Sequence, residues 1–188
     1  MSVRRLLHEP TAAAVAYSYG KPYSGTLAVV DLGGGTLDIS ILDIGEGVNE
    51  VLTVGGDTQL GGSDIDAILV QRAIQDIKER WGVDVDEKAH RTEITRLRDA
   101  CENMKIHLSS VTQYTIELVR FMNRPRYTFT LTRQELERLS KPILDRFQAI
   151  IKRTITGFGA KIDNFILVGN ATKMPAVQAL AQSTIQAR

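Results

Sequence analysis

Three consecutive glycines lie between two acidic residues in the run Asp31-Leu32-Gly33-Gly34-Gly35-Thr36-Leu37-Asp38. Glycines let the main chain approach a ligand closely, and a nest of main-chain N–H groups attracts phosphate oxygens. Thr36 could add its hydroxyl, and Asp31 could hold Mg²⁺ through water, since magnesium takes few carboxylates and keeps several waters. A glycine-rich hairpin turn without a ligand fits the same residues. No Gly-Lys-Ser/Thr follows, so the run is not a P-loop.

A second group of polar residues, Glu102, Lys105 and Ser109, has the spacing i, i+3 and i+7. This spacing places the three side chains on one face of a helix. They could contact a polar ligand there. On spacing alone, a solvated surface ion pair between Glu102 and Lys105 is the favoured interpretation.

Short strands are predicted on both sides of the glycine run. Residues 26–31 are a short apolar run that ends in Asp31. Residues 38–44 alternate between apolar and polar, and residues 48–54 predict a third strand. This pattern indicates an antiparallel meander with the glycines in its first turn.

Helical periodicity begins at residue 64 and predicts one helix to residue 81 and a second over 86–108. Alternating residues at 114–118 and 127–131 then predict a hairpin. After it, Thr132-Arg133-Gln134-Glu135 has the pattern of a capping box.

The capping box predicts one long helix, with a kink at Pro142. A strand at 164–168, a turn at 169–172 and a helix at 174–186 follow. The order indicates an α/β fold interrupted by an inserted α+β unit near 63–138.

The composition is that of an ordinary globular protein, with 43% hydrophobic and 24% charged residues among 188. Disorder is therefore not expected for most of the chain. The net charge of +1 gives no electrostatic reason to expect nucleic acid or a membrane surface as a partner. Cys101 is the only cysteine, which excludes a disulfide within the chain.

Five segments, in order, cover almost the whole chain and resemble the seventy-kilodalton heat-shock (DnaK-type) chaperones. The glycine run is similar to the second phosphate-binding hairpin of actin-like ATPases. The other four are EPTAAAVAY at 9–17, LGGSDID at 60–66, ACENMKIHLSS at 100–110 and LVGNATKMP at 167–175. The resemblance implies lobe II of an actin-like (ribonuclease H-like) ATPase domain. Residues 1–62 with 139–188 would form a IIA-like core, and 63–138 an inserted IIB-like subdomain.

The resemblance also implies roles for residues at matching positions. Asp31 and Glu9 would lie near Mg²⁺ and its waters and could help to orient the attacking water. Asp31, Glu9 and Thr36 would thus have supporting catalytic roles. The remaining positions would bind the nucleotide: the β- and γ-phosphates at Gly33, Gly34, Gly35 and Thr36, the ribose at Glu102 and Lys105, the adenine near Ser109, and the other side of the adenosine at Gly169, Asn170 and Lys173.

Four positions depart from the family pattern. Ile106 stands where an arginine usually stacks on adenine, a contact worth about 0.5–2 kcal/mol. Asn170 replaces a glycine, Lys173 replaces an arginine, and His8 stands where asparagine is common. These changes suggest a divergent member with weak or altered nucleotide binding.

The implied function is ATP binding and hydrolysis, with ATP/ADP and Mg²⁺ as cofactors, to control peptide binding and protein folding. The implied partners are lobe I, unfolded peptides, a J-domain co-chaperone and an exchange factor that grips residues 63–138. The implied location is the cytoplasm, with the mitochondrial matrix or plastid as alternatives. The resemblance places the first phosphate hairpin upstream of Met1, so we expect no ATP turnover by this chain alone.

Three other functions remain open. The same fold serves sugar and acetate kinases and filament-forming actin-like proteins. The helix with Glu102, Lys105 and Ser109 favours the chaperone branch over the kinases, and nucleotide-dependent scattering by the full-length protein would distinguish a filament-forming protein. Ile106 and Asn170 motivate a third alternative, a non-hydrolysing relative that acts as a binding module.

Overall fold

A computed structural model describes residues 9–20, 23–45 and 48–186, so the departure at His8 lies outside the described residues. The chain divides into two compact units, one formed by the residues up to 61 together with those from 144 onward, the other by residues 62–143. In chain order the elements are α1 (Glu9–Ser18), β1 (Gly25–Leu32), β2 (Leu37–Gly45), β3 (Val48–Asp57), α2 (Gly62–Trp81), α3 (Arg91–Leu108), β4 (Gln113–Phe121), β5 (Arg124–Thr132), α4 (Arg133–Leu139), α5 (Lys141–Phe158), β6 (Asn164–Val168), a 3-10 helix (Asn170–Lys173) and α6 (Pro175–Gln186).

The first unit is built on a four-stranded sheet with the order β3-β2-β1-β6. β2 is antiparallel to both β1 and β3, which confirms the predicted meander. β6 lies parallel to β1, with Leu27 opposite Asn164 and Asp31 opposite Val168. Four successive residues of β1, from Leu27 to Val30, are buried, as expected for a strand covered on both faces.

Helix α1 covers part of this sheet and was not predicted from the sequence. Ala14 is fully buried in a cluster with Leu27, Val29, Leu42 and Ile44. The signal was local, because a proline in the first turn followed by three alanines favours a helix.

The predicted single long helix after the capping box is wrong, because α4 ends at Leu139 and α5 begins at Lys141. Pro142 has no N–H to donate and its ring would collide with the carbonyl four residues earlier, so the helical hydrogen bonding is interrupted before it. In the first turn of α5 the same proline is tolerated. The capping box itself is confirmed at Thr132 and Glu135.

The second unit packs α2 and α3 on the β4–β5 hairpin, whose turn at Met122 and Asn123 has positive φ angles of 50° and 57°. Tyr127 is fully buried and its hydroxyl donates to the Asp76 carboxylate at 3.1 Å. The predicted start of α3 at residue 86 is wrong. The Asp86 carboxylate accepts N–H bonds from Lys88 and Ala89 and closes a separate turn before the helix.

None of the described helices combines the length and the apolar character that a membrane-spanning segment needs.

An ion pair fixes α5 to the end of β3 within the first unit. Arg146 Nη2 lies 2.5 Å from Asp57 Oδ2, and the Asp57 side chain is only 18% exposed. The Gln59 N–H, and to a lesser degree the Arg146 guanidinium, hold the pKa of Asp57 below its ordinary value. A carboxyl group whose pKa is lower in the folded than in the unfolded state stabilises the fold at pH values above its unfolded-state pKa. This contribution is lost as the pH falls through its folded-state pKa.

We therefore expect Asp57→Asn to lower the free energy of unfolding at pH 7. The difference from wild type should shrink below about pH 4, where the unfolded carboxyl takes up its proton. Urea unfolding at a series of pH values measures this. Glu50→Gln, on an exposed side chain of the same strand, is the control and should have little effect. A stability loss that is independent of pH would contradict the role of the charge.

Candidate functional site

The glycine run forms an exposed four-residue turn at the end of the β1–β2 hairpin. Leu32 pairs with Leu37 as the last rung of the ladder, and the Gly33 N–H donates to the Thr36 carbonyl at 3.0 Å. Gly34, Gly35 and Thr36 are exposed, whereas Leu32 and Leu37 are buried. The two leucines thus anchor the turn while its main chain remains accessible to a ligand.

Among the described residues, no neighbour requires glycine at two positions of this turn. Gly33 and Gly35 do not adopt positive φ angles. A Cβ atom on Gly35 would have no neighbour within 4 Å, and one on Gly33 would only make an ordinary contact with Thr36 at 3.7 Å. Glycines at these two positions leave the main chain open to close approach by a ligand.

Two other glycines pass directly against the turn, and there glycine is required by packing. A Cβ atom on Gly61 would overlap the main chain of Gly34. Gly169 has a φ of 87°, and a Cβ atom there would overlap the Leu32 carbonyl and come within 2.6 Å of Asp31 Oδ1. The structure therefore places Gly169 beside the turn, and it adds Gly61, which the sequence motif LGGSDID contained but we did not single out.

Acidic side chains gather at the base of the same turn. Asp31 lies opposite Asp38 in the ladder. Burial raises the pKa of Asp31, and the nearby carboxylates of Glu9 and Asp38 raise it further. Asp38 closes the glycine motif, so the sequence signal for it was present. A cation here would relieve the repulsion between the carboxylates.

The donor set fits a magnesium ion that keeps most of its water. Within residues 9–186, apart from the gaps, no group of three or more His, Cys, Asp and Glu side chains is arranged to hold a metal ion. Magnesium does not need such a cage, because it is commonly held by one or two carboxylates, water and substrate phosphates. Asp31, half-buried at the strand end, suits that mode of binding.

Asn170 and Lys173 lie in the 3-10 helix that follows Gly169, and both are exposed. The Thr172 hydroxyl donates to the Gly169 carbonyl at 2.6 Å and fixes this turn. The first unit thus brings together the glycine turn, Asp31, Glu9 and Gly169, with Asn170 and Lys173 on the adjoining segment.

The other predicted residues lie on α3 in the second unit. Glu102 is exposed, and the Ser109 hydroxyl donates to the Lys105 carbonyl at 3.3 Å. Lys105 is only 9% exposed, and its Nζ lies 2.6 Å from Asp66 Oδ2 and 3.1 Å from the Gly62 carbonyl. The interpretation of Glu102 and Lys105 as a surface ion pair is therefore wrong, because α2 packs against α3 and supplies Asp66.

Burial raises the pKa of Asp66, although Lys105 acts in the opposite direction. Its second oxygen, Oδ1, is buried without a hydrogen-bond partner among the described residues. Loss of the lysine would therefore leave a poorly solvated carboxylate. On the same helix, Ile106 is 55% exposed.

A family model described as "Hsp70 protein" matches residues 1–188. The chain belongs to the Hsp70 family. The chaperone protein DnaK of Thermus thermophilus is 42% identical over 98% of this chain and 31% of its own length. DnaK of Akkermansia muciniphila is 41% identical over 97% of this chain and 29% of its own length. Chaperone protein dnaK3 of Thermosynechococcus vestitus is 40% identical over 98% of this chain and 28% of its own length.

This Hsp70 chain spans less than a third of the length of these relatives. The mixed α/β architecture is consistent with the actin-like ATPase domain of Hsp70 proteins. The predicted family and fold class are therefore confirmed.

We expect Lys105→Met to destabilise this Hsp70 chain by about 3–5 kcal/mol, because removal of one partner leaves the other charge buried. Combining it with Asp66→Asn should cost less than the sum of the single changes, since the two residues are coupled. Urea unfolding of the three variants measures both effects.

The matched control is Arg98→Met on the same helix, which breaks an exposed pair with Glu87 at 3.0 Å and should cost less than about 1 kcal/mol. Equal losses for Lys105→Met and Arg98→Met would show that the Asp66 pair has no special weight.

Proposed function

We propose that this chain is part of the nucleotide-binding domain of a heat-shock chaperone that binds ATP with Mg²⁺. The observation that carries the proposal is the exposed turn at residues 33–36. Among the described residues, neither packing nor backbone conformation requires glycine at Gly33 or Gly35. Main-chain N–H groups without side chains around them are suited to phosphate oxygens.

In the first unit, we assign the terminal phosphates to the N–H groups of Gly34 and Gly35, to the bare main chain at Gly33, whose own N–H is donated to the Thr36 carbonyl, and to the Thr36 hydroxyl. Asp31 and Glu9 would hold magnesium through its waters and orient the attacking water. Magnesium, when bound, neutralises charge on the phosphates during transfer. Gly169, Asn170 and Lys173 would border the adenosine.

In the second unit, we assign contacts with the nucleoside to α3. Glu102 and Ser109 lie on one face of this helix, as their spacing requires. A direct contact between Lys105 and the ribose would require its ammonium to exchange Asp66 for the sugar. The ion pair holds α3 to α2 in the structure described here.

For the whole protein, we propose ATP hydrolysis that controls the binding of unfolded peptides, with a J-domain co-chaperone and an exchange factor as partners. The relatives are named chaperones, which supports this assignment. We assign the first unit as IIA-like and the second as IIB-like.

Gly35→Ala tests the central step. The added methyl group meets nothing inside the protein, so the unfolding midpoint should stay the same or rise. The affinity for ADP–Mg²⁺ should fall about tenfold or more, since a hydrogen bond to a charged group contributes roughly 1.5–3 kcal/mol. Calorimetric titration and ATP turnover of the full-length protein are the measurements.

The matched control is Gly157→Ala in α5, where a Cβ atom also has no neighbour within 4 Å and φ is not positive. This variant should bind ADP as wild type does. If Gly35→Ala also binds and hydrolyses normally, the turn does not hold the phosphates.

A non-hydrolysing relative is the second candidate, because the exposed side chain of Ile106 cannot stack on a base as arginine does. If the site binds adenine, Ile106→Arg should strengthen ADP binding about twofold to thirtyfold, the equivalent of roughly 0.5–2 kcal/mol. Val119→Arg, at 57% exposure in the same unit, is the control. Calorimetry that detects no ADP binding to wild type or to Ile106→Arg would favour the second candidate.

A further inference from the structure

The last turn of α3 is held by an arginine from a different element. Arg133, the first residue of α4, donates from Nε to the Leu108 carbonyl at 2.7 Å and from Nη2 to the Val111 carbonyl at 3.1 Å. Its N–H also donates to the Thr112 carbonyl at 2.8 Å. Carbonyls at a helix C-terminus have no partner within the helix, and a cation there also complements the helix dipole.

The main chain that carries Arg133 is itself fixed. Thr132 Oγ1 accepts the Glu135 N–H at 3.2 Å, and the Glu135 carboxylate accepts the Thr132 N–H at 3.4 Å. This capping box defines where α4 begins and therefore where the arginine starts. The guanidinium thus joins a fixed helix start to the end of α3.

The segment held in this way carries groups of the proposed nucleoside face. Ser109 follows Leu108 directly, and its hydroxyl already lies against the Lys105 carbonyl one turn earlier. The His107 ring also stacks on Tyr114, with centroids 4.2 Å apart. The end of α3 is therefore held both by Arg133 and by this aromatic pair.

We propose that Arg133 is a positioning residue for nucleoside recognition. It does not contact the nucleotide. Its bond to the Leu108 carbonyl keeps the last turn of α3 wound, and its bond to the Val111 carbonyl fixes the segment that follows, so that Ser109 and Glu102 present their side chains in one fixed arrangement. The inference rests on the proposed function of α3, and it adds a residue outside the predicted site to that function.

The same unit contains a matched control. Arg96, on α3, donates to the Val119 carbonyl at 2.7 Å and to the Arg120 carbonyl at 3.2 Å. Both arginines thus hold two main-chain carbonyls at similar distances. The two arginines differ in the segment that they bind. Arg96 binds carbonyls near the C-terminal end of β4, whereas Arg133 binds the C-terminal end of α3.

The test compares Arg133→Met, Arg133→Lys and Arg96→Met in the full-length protein. Calorimetry measures the affinity for ADP–Mg²⁺, urea unfolding measures stability, and amide hydrogen exchange reports on residues 102–111. We expect Arg133→Met to weaken ADP binding about fivefold to twentyfold, in line with the loss of one or two hydrogen bonds. Exchange at the end of α3 should accelerate. Arg133→Lys, which keeps the charge and loses the fork, should give an intermediate affinity.

Arg96→Met should lower stability to a similar extent and leave ADP affinity unchanged. Equal effects of Arg133→Met and Arg96→Met on affinity would reduce Arg133 to a general structural role and overturn the inference. The inference would also be overturned if Arg133→Lys bound ADP with wild-type affinity while amide exchange at the end of α3 was accelerated. This comparison can be made even if Arg133→Met does not fold. Absence of ADP binding by the wild-type protein would overturn the proposed function as well, so the two failures are distinguishable.

Discussion

The main chain at residues 33–35 carries no side chains beyond hydrogen, and two other segments of the first unit pack directly against this turn. On its inner side, Gly61 and Gly169 come so close to the hairpin backbone that a methyl group would overlap it. On its outer side, Gly35 faces open space. Leu32 and Leu37 below the turn are buried and hold the hairpin in register. A bare main chain can therefore be both tightly supported from within and open to a ligand from outside.

The carboxylates of the two units are in opposite electrostatic situations. Asp31 sits near Glu9 and Asp38, so ionising it is made harder by its neighbours as well as by burial. Asp66 is also partly buried, but Lys105 lies 2.6 Å away and compensates it in part. Within the described part of the chain no ion pair compensates Asp31, Glu9 or Asp38. Carboxylates arranged in this way beside N–H groups are typical of a place where a cation and an anionic ligand bind together. Asp66 with Lys105 is an internal support for α3.

Local sequence patterns predicted most elements, because each depends on residues close together in the chain. The meander, the β4–β5 hairpin and the capping box at Thr132 are of this kind. The partner of Lys105 was not predictable in this way, since Asp66 lies 39 residues earlier and meets it only through the packing of α2 on α3. The roles of Gly61 and Arg133 likewise depend on contacts between distant segments. The site residues named from the resemblance remain predictions, which the experiments above address.

The first unit is assembled from two stretches of chain that are separated by the whole of the second. Thr26, at the start of β1, donates its N–H to the Asp163 carboxylate 137 positions later, and β6 pairs with β1 beside it. During synthesis, β1 to β3 emerge before the second unit, and the edge of β1 that pairs with β6 lacks this partner until β6 has been made. The contiguous stretch 62–143 contains its own hairpin and helices and can complete its packing in that interval. Long-range pairing of this type slows folding, so the nascent chain exposes an unpaired strand edge for longer than either unit's size alone would suggest.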